Sequence, residues 1–120
     1  MRTTSSSGKL GEEYAVKLLK AHGYKILTRN FRSKFGEIDI VALEGDTLVF
    51  VEVKTRWGSR FGNPEEAVTP RKLAHLTRAA HYFKLLHPKT PHIMRFDVIA
   101  TEVKDGKVVS AKILKNVTGF

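Results

Sequence analysis

Two short stretches carry side chains of the right type and spacing for chemistry: Glu37-Ile38-Asp39 and Glu52-Val53-Lys54. Side chains in a strand alternate between faces, so Glu37 and Asp39 share a face of one strand, and Glu52 and Lys54 share a face of the next. Facing residues of hairpin neighbours lie close enough to touch, so two carboxylates and a lysine can converge at the ends of two apolar strands. Charges there are costly unless paired or bound to a metal. Asp39 and Glu52 supply hard oxygen ligands suited to Mg2+ or Mn2+ with waters completing the shell. A metal so held polarises a phosphodiester and acidifies a bound water. Lys54 is placed to orient that water or to stabilise developing negative charge. The competing reading is a cross-strand salt bridge in which Lys54 neutralises Glu37 or Glu52.

Other candidates surround this set. Stepping 100° per residue along the first helix puts Glu12 between Leu19 and Val16, directed toward the sheet edge or a site, while Glu13 joins Lys17 on the solvent side. The alternative for Glu12 is a first-turn acid complementing the helix dipole. On the second helix Leu73, Leu76, Ala80 and Phe83 form the core stripe, and Lys72 at its margin can reach the site, as Glu37 can from the first strand. Arg32, Arg56, Arg60, Arg71 and Arg78 are candidate nucleic-acid contacts, and Trp57 and Phe61 offer stacking surfaces in the same loop as Arg56 and Arg60. Solvated basic faces and loop anchors are the plainer readings of these groups. The histidines show no ligand spacing, and Gly8 and Gly11 make no phosphate loop because no strand precedes them.

The elements that must position these residues are legible in outline. Leu10, Tyr14, Leu18 and Ala21 recur at helical spacing over Lys9 to His22, with Gly23 as the stop. Tyr24 to Phe31 reads as a strand near an edge, since it carries Lys25, Arg29 and Asn30. Ile38 to Leu43 and Leu48 to Lys54 are apolar on both faces, as in a sheet centre covered on both sides, and Glu44-Gly45-Asp46 between them signals an antiparallel hairpin. Asn63-Pro64-Glu65-Glu66 resembles a helix start inside the loop from Arg56 to Val68. Thr69-Pro70 opens the second main helix, which runs to about Leu86 before Pro88 and Pro91. His92 to Thr101 and Lys107 to Val117 are strands joined at Asp105-Gly106. The order of helix, three strands, helix and two strands predicts an α/β fold with a mixed central sheet of about five strands flanked by helices.

A chain of 120 residues makes one domain, taken here as residues 8–120 behind a loose polar tail over 1–7. There is no cysteine, which excludes disulfides and cysteine–zinc sites. No apolar run is long enough to span a bilayer, and the expected location is the cytoplasm. Lysine and arginine total 21 against 12 acids, a formal charge of +9 that favours a polyanionic partner.

Taken together, Gly11-Glu12, Asn30-Phe31-Arg32, Gly36-Glu37-Ile38-Asp39, Val51-Glu52-Val53-Lys54-Thr55-Arg56, Ala67-Val68-Thr69 with Lys72, and Arg95-Phe96-Asp97-Val98 resemble the YraN-like family of small bacterial proteins, assigned to the restriction-endonuclease-like superfamily. The stretch from Glu12 to Lys54 is also similar to archaeal Holliday-junction resolvases. The resemblance implies a restriction-endonuclease-like fold, Asp39 and Glu52 as metal-binding acids, Lys54 as catalytic lysine and Glu12 as a helix-borne active-site acid. It departs from the superfamily pattern at Ile38, where a proline often precedes the first acid. The expected function is a Mg2+- or Mn2+-dependent endonuclease acting on DNA, with branched or damaged DNA as candidate substrates. A homodimer would suit a junction with two scissile strands. The alternatives are a non-catalytic nucleic-acid-binding or ribosome-associated module and an adaptor that binds partners through a sheet edge.

Overall fold

The computed structural model describes residues 6–57 and 69–117. The expected helix start at Asn63, together with Arg60 and Phe61, lies outside the described residues. The first helix, α1 (Ser6–Ala21), begins earlier than periodicity predicts, so Ser6 and Ser7 belong to the helix and not to a loose tail. Periodicity misses them because serine, a good residue for the start of a helix, adds nothing to an apolar stripe. At the other end, Gly23 has φ +86°, its N–H bonds Lys20 O, and Tyr24 N–H bonds Leu19 O. This is the left-handed glycine cap that the sequence signals.

Five strands follow in two groups: β1 (Lys25–Ser33), β2 (Gly36–Glu44) and β3 (Thr47–Trp57), then β4 (Ile93–Lys104) and β5 (Lys107–Leu114). The second helix, α2 (Pro70–Leu86), lies between the groups, with Thr69 as its cap accepting from Lys72 N–H. The sheet order is β1-β2-β3-β4-β5, antiparallel throughout except for the parallel β3–β4 pair. The hairpin loop Gly45-Asp46 starts with a glycine at φ +58°, and Asp105-Gly106 has φ +53° and +75°. Both suit two-residue turns that match the twist of paired strands. The expected mixed five-stranded α/β sheet with flanking helices is the observed architecture. Among the described residues no helix is long and apolar enough to cross a membrane.

The two helices cover opposite faces. Ala15, Val16 and Leu19 of α1 pack on Ile40, Ala42, Val49, Val51 and Ile99. Leu76, Ala79, Ala80 and Phe83 of α2 pack on Ile38, Val41, Leu48, Phe50 and Phe96. The Phe83 ring meets Phe31 edge-on at 5.1 Å and Phe50 at 5.9 Å.

Strict alternation fails at one level of the sheet. Ile40 faces α1 but Ile38 faces α2, although both stay in register with β1. On β1, Arg29 reaches Glu13 of α1 while Phe31 packs against Phe83 of α2. Both strands therefore turn over between these pairs, at Asn30 and Asp39. Asn30 sits at φ +53°, a conformation asparagine tolerates better than most residues. The β2–β3 ladder runs from the hairpin only as far as Ile40↔Val51.

At the hairpin end a buried clasp ties the chain together. Asp97 has no side-chain exposure and accepts four hydrogen bonds, from Tyr24 Oη (2.9 Å), Arg95 Nε (2.8 Å), Arg95 Nη2 (2.9 Å) and Asn116 N–H (2.9 Å). Arg95 also bonds Glu44 at 2.7 Å, and Glu44 takes Lys115 at 2.8 Å. Burial and the Asp97 carboxylate push the Tyr24 hydroxyl far above its ordinary pKa, so it stays a donor. The Arg95-Phe96-Asp97-Val98 stretch is thus a structural fastening.

At the opposite end α1 sits hard on β3 and β4. A Cβ on Gly11 would lie 2.2 Å from Thr55 Oγ1 and 2.9 Å from Thr101 Oγ1. Gly11→Ala gains up to about 1 kcal/mol of helix propensity but overpacks this contact at a cost of about 1–3 kcal/mol. Denaturant unfolding should find the variant less stable than wild type, with much of the loss recovered in a Thr55→Ala background. Equal losses in both backgrounds would remove the contact as the cause.

Candidate metal centre

Where the β2–β3 ladder ends, the Asp39 side chain replaces the backbone acceptor: Asp39 Oδ2 accepts Val53 N–H at 2.8 Å. This brings the buried Asp39 carboxyl against that of Glu52. Burial, then the Asp39 charge, push Glu52 up to about 7, while Lys72 pulls it down. Lys72 Nζ lies 2.6 Å from Glu52 Oε2, with side-chain exposures of 44% and 12%. The Lys72 ammonium is thus the cation that faces the buried Oε2.

The predicted residues separate into those that meet and those that do not. Asp39, Glu52 and Lys72 come together on the α2 side. Glu37 lines a small cleft of about 130 Å³ with Gly36, Lys72, His75, Leu76 and Ala79, and pairs with Arg32 at 3.2 Å. Lys54 lies two residues beyond Glu52 on β3 and is exposed. The cations of Glu52 and Glu37 are Lys72 and Arg32, so the salt bridge to Lys54 weighed as a competing reading is not formed. Helix docking decides this, because α2 delivers Lys72 directly over Glu52 whereas Lys54 points into solvent further along the strand. Glu12 is 6% exposed, as its helical direction predicts, on the helix that covers the other face of the sheet. Glu13 is exposed as expected, but its partner is Arg29 of β1 at 2.8 Å, where sequence spacing pairs it with Lys17. Arg29 also holds the Glu13 carboxyl below its ordinary pKa.

Among the described residues no three His, Cys, Asp or Glu side chains form a ready-made metal cage. The donor chemistry nevertheless fits a hard divalent ion. Two abutting carboxyls, one of them with its Oε2 buried, offer hard oxygen donors to such an ion, and water would supply the remaining ligands.

Basic groups flank the pair. Arg32, Arg71 and Arg78 are exposed, while Arg56 is half-buried. Register adds a residue the sequence reading misses: Lys54 pairs with Ala100, and Ala100 with Lys112. Cross-strand partners share a face, so exposed Lys54 and Lys112 flank a small residue in one row across three strands. Only strand order could have found this, since 58 positions separate the two lysines.

The molecule is therefore a three-layered α/β protein, one helix on each face of the sheet, with a paired-carboxylate site where two central strands part. Residues 11–101 match the model of the family described as "Uncharacterised protein family UPF0102". A UPF0102 protein of Syntrophomonas wolfei is 50% identical over 100 residues, covering 83% of this chain and 87% of the relative. One from Caldicellulosiruptor saccharolyticus is 48% identical over 110 residues, covering 91% and 93%. Another, from a Parafrankia species, is 49% identical over 100 residues, covering 83% and 85%. This chain belongs to the UPF0102 family, in agreement with the YraN-like resemblance of its motifs.

The raised Glu52 pKa has a consequence for stability. The fold favours the protonated acid, so this contribution is full below the ordinary value of 4.5 and is lost as pH rises through about 7. Glu52→Gln should lie close to wild type in stability near pH 5 and be the more stable of the two near pH 8. Unfolding curves at the two pH values test this, and a difference independent of pH would contradict the assignment.

Proposed function

We propose that this protein is a metal-dependent endonuclease of restriction-endonuclease-like fold, hydrolysing phosphodiester bonds in DNA, with branched or damaged DNA as its substrates. The observation that carries the reading is the Asp39–Glu52 pair, brought together in a low-dielectric gap between strands with a lysine against it. Asp39 and Glu52 would hold Mg2+ or Mn2+. When bound, that ion supplies Lewis acidity toward a phosphoryl oxygen and acidifies water. Lys54 projects from the same strand as Glu52, where it can meet the phosphate and stabilise charge developing on it. Glu12 is proposed to support the site from the α1 side. Arg32, Arg71, Arg78 and the Lys54–Lys112 row bind the sugar–phosphate backbone, consistent with the charge of +9.

One rival, a nucleic-acid-binding module without cleavage, draws on the formal charge of +9 alone. A screen over single-stranded, duplex, flapped and four-way DNA with Mn2+ separates the two. Wild type should cut at least one substrate, and Asp39→Asn should lose both cleavage and Mn2+ binding. Glu12→Gln should slow cleavage at least about tenfold, or ~1.4 kcal/mol in the barrier, whereas Glu13→Gln leaves it unchanged. DNA binding without cleavage on every substrate would establish the module instead.

Binding itself should weaken steeply with salt. Removing one phosphate contact flattens the log–log slope by ~0.9 on duplex DNA. Lys112→Ala should show that change in fluorescence anisotropy titrations, and an unchanged slope would take Lys112 out of the interface.

A further inference from the structure

Lys72 is the side chain whose place is hardest to reconcile with a site that merely awaits a metal. Its ammonium lies 2.6 Å from the buried Glu52 Oε2. Mg2+–carboxylate contacts are shorter, at about 2.0–2.1 Å. An ion on that oxygen would bring like charges together at a separation where their repulsion is strong. Metal and ammonium therefore compete for one oxygen.

The surroundings allow the exchange. Lys72 is anchored at its backbone, where its N–H bonds the Thr69 cap at 3.1 Å, but its side chain is 44% exposed and has room to move. The same side chain lines the small cleft with Glu37 and His75, so leaving Glu52 does not strand the charge: Glu37 offers a second carboxylate. Arg32, which pairs with Glu37, is 66% exposed and does not close that side.

We propose that Lys72 is the resident counter-ion of the Asp39–Glu52 pair, and that a divalent metal ion displaces its ammonium into the cleft beside Glu37. With the metal absent, Lys72 holds two adjacent carboxyls in place. With the metal bound, the displaced ammonium stands at the rim of the site, where it meets the substrate phosphate. This rests on the proposed metal site and adds an order of events: the ion enters by evicting a lysine. Lys72 is then a positioning residue that becomes a phosphate contact.

The test is Mn2+ binding by calorimetry near pH 8, on the whole chain and without nucleic acid. Lys72→Met should bind Mn2+ at least about tenfold more tightly than wild type, because the competing charge is gone. Lys72→Arg, which keeps the charge, should bind no more tightly than wild type. Lys89→Met should stay within about twofold, since Lys89 is exposed on the turn after α2 and has no part in the proposed site. Circular dichroism establishes that each variant is folded. As a second readout needing no substitution at Lys72, the ammonium resonance of Lys72 should shift when Mg2+ is added to wild type and stay fixed in Asp39→Asn. Mn2+ binding that is equal or weaker in Lys72→Met overturns the exchange while leaving the metal site standing. No binding by any variant, or equal binding by Asp39→Asn and wild type, overturns the metal site and the exchange together.

Discussion

A single hydrogen bond organises the site: the Asp39 carboxylate accepts the Val53 N–H where the β2–β3 ladder stops. A backbone N–H inside a sheet must be paired, and normally a carbonyl of the next strand does this. Here a side chain substitutes, which frees β2 to turn away while β3 continues along β4 through Trp57. The carboxylate is thereby fixed in a gap between strands, next to the residue β3 presents there, Glu52. Without the turnover at Asn30 and Asp39, the two acids would be ordinary facing positions of a continuous sheet.

The two buried acid systems of this fold are built on opposite terms. Asp97 has four donors, two of them from a guanidinium, so every lone pair it offers is used. Arg95 is held above even its usual high pKa by Asp97 and Glu44, and Glu44 sits below its own despite burial because Lys115 and Arg95 face it. The Asp39–Glu52 pair sets two carboxyls side by side, with the Val53 N–H on Asp39 and the Lys72 ammonium against Glu52. A fully satisfied buried network makes a rigid structure.

Much of this was legible in the sequence, for local reasons. The Gly23 stop, the Thr69 cap and both two-residue turns are short-range signals, and the structure uses each of them. The central strands were recognisable because both faces are apolar, and Glu12 because its helical direction falls among apolar neighbours. Three features were not legible. The turnover at Asn30 and Asp39 leaves the hydrophobic pattern almost unchanged, since Ile38 and Ile40 are both buried whichever side they face. The partner of Glu52 was ambiguous because Lys54 is near in sequence and Lys72 near in space, and only the docking of α2 decides between them. The clasp around Asp97 draws on residues from 24 to 116, beyond any local pattern, although an acid buried in so apolar a strand was a signal that it needed donors.

The clasp also constrains the order in which the chain can mature. Its donors come from the segment after α1, the start of β4 and the segment after β5, and its second acid, Glu44, comes from the end of β2. During synthesis from the N-terminus, α1 and the β1–β3 meander can form from local contacts, but the full donor set of Asp97 exists only once Asn116 has been made. Until then a carboxylate destined for complete burial lacks a main-chain donor, and the β3–β4 alignment it fastens stays provisional. The parallel strand pair at the centre of the sheet is thus a late event set by the most distant contacts in the fold, the kind that slow folding most. A nascent chain of this protein would carry its acid-bearing strands early and lock them last.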